Sequence, residues 1–296
     1  MTEQKEDDVC QPGELVTDNR FKRQWVKLKR NKAALAGGML IIVYVLSAFF
    51  APVIFPGNPS APNLIKSLET PSVENLLGTD ELGRSILGRI IYGSRISLLI
   101  AVGVVSVGMI LGIPLGLVSG YYGGKIDFII QRITDTMLAF PGFLLALALV
   151  AVLGVGLRNT VISIGISMVP LYIRLVRGCV LSVRAEDYVE AAKAVGTRDI
   201  AILIRHILPN VMVPITVQTS LSMGMAILFA AGLGFLGIGV QPPTPEWGAM
   251  LGSARSYLFN APHVATFPGI AIFLAVLSFN LLGDGLRDAL DPRFRI

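Results

Sequence analysis

The sequence predicts an all-α integral membrane protein with six transmembrane helices and both termini in the cytoplasm, N-in/C-in. Three observations carry this. Of 296 residues 53% are hydrophobic and 15% charged, with a mean hydropathy of +0.67; a soluble domain carries about a quarter charged residues. The apolar residues fall in long uncharged runs, each near the ~20 residues that a helix needs to cross a bilayer. The cations stand at the ends of those runs. The net charge of +5 and pI near 9.3 therefore read as membrane orientation, and no nucleic-acid partner is expected.

Taken in order, residues 1–19 form a polar, mostly acidic tail, expected to be poorly ordered. Residues 20–32 turn basic, with Arg20, Lys22, Arg23, Lys27, Lys29, Arg30 and Lys32 around Phe21, Trp25 and Leu28. This reads as a juxtamembrane segment lying on anionic lipid of the bilayer, and it sets the cytoplasmic side. The first apolar run is too long for a signal-peptide core and lacks a small-residue cleavage site, so it reads as a retained span. The tail 1–32 then precedes one membrane domain, 33–296, with spans at 33–55, 96–120, 136–157, 159–178, 211–232 and 264–283. The third and fourth form a helical hairpin across Gly156–Asn159. The fourth is interrupted by Arg174 and Arg177, which can snorkel to the interface. Cytoplasmic segments are 1–32, 121–135, 179–210 and 284–296.

Outside lie 56–95 and 233–263. The first begins with a Pro-, Asn- and Ser-rich stretch that reads as irregular structure, followed by an amphipathic lead-in to the second span. The second contains Pro242, Pro243 and Pro245, which exclude a regular helix, and its apolar approach is long enough to dip back against the bundle. The two cysteines, Cys10 and Cys179, show no disulfide framework or metal spacing.

One cytoplasmic stretch differs from the rest. Asp187–Pro209 is charged and helix-forming, and reads as two short helices hinged at Gly196. In the first, Tyr188, Ala191, Ala192 and Val195 follow the spacing of one apolar face, with Glu186, Glu190 and Lys193 opposite. Thr197 is the expected N-cap of the second, which has Asp199 in its first turn, runs through Ile200, Leu203, Ile204 and Ile207, and stops near Pro209. Such an element suits a groove on a soluble partner or an amphipathic rest on lipid.

Several functions are disfavoured by what is missing. No acidic or histidine residue lies near the centre of a span, as a proton-coupled secondary transporter requires. No filter loop or ring of charge points to a channel. Serine stands in no G-x-S-x-G, so a membrane-embedded hydrolase lacks its nucleophile. There is no G-x-x-x-x-G-K-[ST] either, so the chain has no P-loop of its own. Uphill transport would take its energy from another polypeptide. A weaker inference concerns the path: Thr216, Thr219, Ser220 and Met223 share a face of the fifth span and Asn280 lies in the sixth, as a path for varied solutes would need, although the same residues serve helix packing.

Glu190-Ala191-Ala192, Gly196 and Leu208-Pro209 resemble the EAA loop of ABC-importer permeases, with His206 in place of the usual isoleucine. Leu77-Gly78-Thr79-Asp80, Gly83-Arg84, Arg89, Tyr92-Gly93 and Arg95–Leu98 resemble the outer-loop signature of the dipeptide/oligopeptide/nickel branch, with Ser85 and Gly88 as departures. Leu233–Gly237, Gln241-Pro242-Pro243, Glu246-Trp247-Gly248 and the run Phe279–Asp288 with Asp291-Pro292 extend the likeness, which is strongest to the C-type subunit. The resemblance implies a type I importer permease fold in a bacterial inner membrane, pairing with a homologous second permease. It also implies two cytoplasmic ATPases that bind ATP and Mg, an extracytoplasmic binding protein at the outer loops, and no cofactor on this chain. Glu190, Ala191, Ala192, Gly196, Leu208 and Pro209 would form the ATPase-coupling element. The cargo implied is a di- or oligopeptide, with glutathione and nickel chelates as alternatives.

Overall fold

The computed structural model describes residues 31–290, and among them every regular element is helical. The acidic tail, most of the basic segment, Cys10 and Asp291-Pro292 lie outside the described residues. The main helices are α1 (Lys32–Phe49), α2 (Ala51–Ile54), α3 (Ile86–Tyr122), α4 (Gly124–Leu138), α5 (Gly142–Leu153), α6 (Leu157–Arg184), α7 (Asp187–Ala194), α8 (Asp199–Ala201), α9 (Leu208–Phe235), α10 (Trp247–Ala254) and α11 (His263–Leu290). Five stretches are long and apolar enough to cross a membrane: α1, α3, α6, Asp199–Phe235 and α11. The bent pair α4–α5 brings the count to six when it is taken as one broken span.

That pair corrects the expected third span. In place of one helix over 136–157, α4 ends at Leu138, Pro141 caps α5, and the two axes meet at 89°. Proline disfavours helical backbone in the residue before it, so the chain turns at Phe140. Helix α5 has 12 residues, about 18 Å at 1.5 Å each, short of the ~30 Å hydrocarbon core. The expected second span is the opposite case. Its helix starts ten residues early, at Ile86, where the Ser85 hydroxyl caps Gly88 N–H at 3.4 Å.

The bundle is built on the seam between α3 and α6. Gly108, Gly112, Gly116 and Gly120 form one stripe of α3, and Met168, Tyr172, Val176 and Val180 face it from α6 at the same four-residue spacing. A Cβ on Gly112 would stand 2.5 Å from Tyr172 Cβ, and one on Gly116 2.7 Å from Val176 Cβ. Small residues let membrane helices approach until their backbones almost touch. A Gly112→Val change should therefore force the seam apart, at a cost of about 1–3 kcal/mol or more. Less folded protein recovered from membranes, beside normal recovery of a Gly38→Ala control whose added methyl meets nothing within 4 Å, would check this.

Helices α9 and α11 run antiparallel: the Ser220 hydroxyl donates to Phe279 O at 3.0 Å, and Gly283 packs under Leu221. Helix α1 lies along α11, where Gly37 approaches Ser278 O and the Asn31 amide donates to Asp288. One end of the bundle therefore gathers Asn31, Tyr122, residues 184–210 and Leu290. The other end gathers 50–86, 153–157 and 235–263.

At that second end the irregular loop is pinned by a buried ionic cluster. Arg84 Nε donates to Asp80 Oδ2 at 2.7 Å and Arg84 Nη2 to Glu81 Oε1 at 3.0 Å, while Arg89 Nε stands 3.4 Å from Asp80 Oδ2. Asp80 Oδ1 accepts from the backbone of Leu82 and Arg84. The tight turn needs Gly83 at φ +70°, where an added Cβ would sit 1.8 Å from Asn63 O. Past α9 the chain reverses through 236–246 and returns as α10, with Gly248 and Gly252 seated on the backbone of Ala231 and Gly234. Glu246 caps α10, accepting from Gly248 N (2.9 Å), Ala249 N (2.8 Å) and Ser97 Oγ (3.2 Å). Burial pushes its carboxyl above the usual range, and these donors partly offset the shift.

Candidate functional site

The Asp187–Pro209 hairpin sits at the first end of the bundle. Helix α7 carries Asp187 and Glu190 in its first turn and Lys193 in its last, the order that a helix dipole favours. It closes with the paired hydrogen bonds of a Schellman turn, Gly196 N to Lys193 O (2.9 Å) and Thr197 N to Ala192 O (3.1 Å). Gly196 has φ +80° and nothing within 4 Å of where a Cβ would be. Glycine is required there by backbone conformation alone.

Two details differ from the expected hairpin. Arg198 holds the N-cap position of α8, and no side chain caps it, so Thr197 does not perform that role. Nor does the second helix stop near Pro209. It widens into a π-turn over Ile202–Ile207, with Leu208 N bonded to Leu203 O, and continues as α9. The wider turn absorbs a proline that lacks the N–H for an ordinary helical bond. The Asn210 side chain donates to His206 O at 2.6 Å and to Tyr188 Oη at 3.0 Å, tying α7 to this joint. Leu208 packs against the local core, and Pro209 opens α9.

Helix α7 is anchored through a residue that lies off its expected apolar face. Val189 is fully buried, and Ala192 packs beside it against Tyr121, Val176, Val180, Ile202 and Ile207. Glu190 and Ala191 are exposed, as are Tyr188 and Val195, the latter 85% accessible. Ile200 and Ile204 add to this uncovered apolar surface, at 68% and 58%. The hairpin is thus anchored by one face and bare on another. An exposed apolar patch of this kind on a rigid element marks a contact surface.

Polar ties join the hairpin to α3, and α6 to α3 and α4. The Tyr121 hydroxyl donates to Asp199 Oδ1 at 2.7 Å, and Lys193 Nζ stands 5.1 Å from the Tyr121 ring centroid. Arg184 Nη1 donates to Tyr121 O at 2.8 Å and Gly120 O at 3.3 Å, satisfying the end of α3. Arg177 grips Asp127 of α4 through two bonds of 2.6 and 2.7 Å, and Arg174 reaches Asp135 at 2.6 Å. The interrupting arginines of the fourth span are therefore ion-paired to α4. Sequence reading missed these partners; acids and arginines at the ends of neighbouring apolar segments were the available signal.

The residues proposed for a path do not form one open face. Thr216 is exposed, with its hydroxyl donating to Met212 O. Thr219 points to Met109 Sδ of α3 at 3.4 Å, Ser220 is buried against α11, and Met223 packs on the main core. Asn280 is exposed, and its Oδ1 lies against Gly224 of α9. Among the described residues no three His, Cys, Asp or Glu side chains are grouped to hold a metal ion.

Among the described residues, long apolar helices without a strand form a glycine-packed bundle with an anchored helical hairpin at one end, the architecture of a helical integral membrane protein. Comparison with known families agrees: residues 112–296 match the binding-protein-dependent transport system inner membrane component, and residues 19–71 match the N-terminal domain of oligopeptide transport permease C. The chain belongs to this family of inner-membrane permease components. It is 48% identical to a dipeptide transport permease of Alkalihalophilus pseudofirmus, covering 93% of this chain and 90% of that one. It is also 48% identical to a glutathione transport permease of Pectobacterium atrosepticum (93% and 92% covered), and 47% identical to a di/tripeptide permease of Pseudomonas aeruginosa (95% of each). Its fold matches a chain of an inward-facing methionine ABC transporter with a TM-score of 0.58 at 16% identity, over 70% of this chain and 98% of that one. The fold is that of a type I ABC importer permease.

Proposed function

We propose that this chain forms half of the translocation pore of an ATP-driven importer for di- and oligopeptides, and that Asp187–Pro209 receives the stroke of a separate ATPase. The observation that carries this is the hairpin, buried through Val189, Ile202 and Ile207 yet exposing Tyr188, Val195, Ile200 and Ile204. Close-packed interiors move as blocks, so a push on that surface is passed to α3, α6 and α9 together. The charge pattern supports a cytoplasmic hairpin, with 56–85 and 235–263 facing the binding protein. A homologous permease completes the pore. ATP and Mg belong to the two partner ATPases, and this chain contributes no hydrolytic group. Peptide cargo is supported by the di/tripeptide and dipeptide relatives; the glutathione permease at equal identity is consistent with a γ-linked tripeptide.

The test is uptake of a labelled dipeptide into proteoliposomes holding the whole complex. Accumulation should require ATP, both ATPases and the binding protein. Accumulation that follows a proton or sodium gradient without ATPases would overturn the reading. A Val195→Asp change places a charge on the bare surface without disturbing internal packing. ATPase affinity should fall about tenfold or more, as when an interface must desolvate an unpaired charge, while the amount of folded permease stays the same.

A further inference from the structure

The end opposite the hairpin holds a cavity, within the region 235–263, to which no contact with the cargo has yet been given. It lies where α9 ends and α10 folds back on it, has a volume of about 250 Å³, and is open to one side. Phe235, Val240 and Pro242 give it apolar walls, and Gln241, Ser253 and Arg255 supply polar groups. An apolar wall with few convergent polar groups is the usual make-up of a small-molecule site. The size fits one end of a short peptide.

Its charge is one-sided. No Asp or Glu lines it, and Arg255 makes no ion pair among the described residues. Acids beside its lining are otherwise engaged: Asp80 and Glu81 with Arg84, and Glu246 buried on the backbone of α10. The Arg255 guanidinium stands 6.0 Å from the centroid of the Phe235 ring. A cation–π contact at that distance takes up none of the guanidinium N–H groups, which remain available to a carboxylate. Gln241 Nε2 already donates to Gly237 O and Gly239 O at 3.0 and 3.1 Å, so the turn forming the wall is braced.

We propose that this cavity is an entry site for the carboxylate end of the cargo: Arg255 holds the carboxylate, and Phe235, Val240 and Pro242 take the terminal side chain. A peptide leaving the binding protein would be held here before the pore opens. The inference rests on the peptide-import reading above.

The test uses the complete complex in proteoliposomes, with saturating dipeptide-loaded binding protein and both uptake and ATP hydrolysis recorded. Arg255→Ala should lower peptide accumulated per ATP about tenfold, the size of a lost hydrogen bond to a charged group. Arg255→Glu should lower it further, and Arg255→Lys should retain more than Arg255→Ala. Stimulation of hydrolysis by the loaded binding protein should stay at the wild-type level in all three. Unchanged peptide per ATP, or a loss that ignores the sign of the charge, would overturn the site. So would a parallel loss of stimulated hydrolysis, which would make Arg255 a binding-protein contact. Failure of the wild-type complex to take up any peptide would instead sink the peptide-import reading.

Discussion

Valine at Gly196 is expected to cut ATP-driven uptake about tenfold or more while leaving the protein folded and inserted. The position has φ +80° with open space around it, so the effect is purely conformational. Left-handed backbone costs an L-residue about 1–2 kcal/mol, and a β-branched side chain is especially poor there. Relief comes by opening the Schellman turn, which frees the bonds to Lys193 O and Ala192 O and lets α7 change its angle to α8. Val189 and Ile202 anchor the hairpin on either side of this turn. The membrane core is undisturbed, but the surface proposed to meet the ATPase is misplaced. An equilibrium shift of 1.4 kcal/mol is tenfold, which sets the scale. Uptake per ATP in proteoliposomes measures it, with Gly196→Asn as the comparison, because asparagine tolerates this conformation better. Wild-type uptake and stimulated hydrolysis in the valine variant would remove Gly196 from the coupling element.

Arg84→Ala is expected to be the most destabilising single change at the other end. It leaves Asp80, itself buried, with Arg89 at 3.4 Å as its remaining cation, and strips Glu81 of its bond to Arg84. Removing one partner of a buried pair costs about 3–5 kcal/mol. The loop 56–85, held to the bundle by this cluster and by the Asn63–Leu82 and Leu68–Asp80 backbone bonds, should detach first. Limited proteolysis of purified protein should then cut within 56–85 at a protease level that spares the wild type. Adding Asp80→Leu to Arg84→Met should not recover the loss, because it leaves buried Arg89 without its carboxylate and the backbone N–H groups of residues 82 and 84 without their acceptor. Equal protease resistance in Arg84→Ala would mean that the cluster does not hold the loop.

How much of this was legible in the sequence varied with the physics involved. Run length alone located the apolar helices, because the bilayer sets a length threshold that hydropathy measures directly. Hydropathy has no sense of direction, so the 89° turn at Phe140-Pro141 was hidden inside an apolar run. Pro209 misled in the opposite sense. A proline predicts a helix end only for ordinary helical bonding, and the π-turn before it removes that requirement. On an eight-residue helix such as α7, several faces satisfy the same spacing rule. Val189, which lies off the Tyr188–Val195 stripe, is buried because it meets Val176 and Val180, which no local pattern contains. The four-residue glycine stripe of α3 was visible as repeated G-x-x-x-G and would have pointed to its seam with α6. The first helix of the hairpin and the turn at Gly196 were legible from sequence. Arg255 and Phe235 were not, because only the return of α10 onto α9 brings them together.

What touches the bare side of the hairpin decides its role. A photo-crosslinking side chain placed at Ala191, which is exposed on α7, and activated in membranes holding the full complex measures this directly. The account predicts a covalent adduct with the ATPase subunit whose yield changes when ATP is trapped. An adduct with lipid or the binding protein, and none with the ATPase, would contradict it.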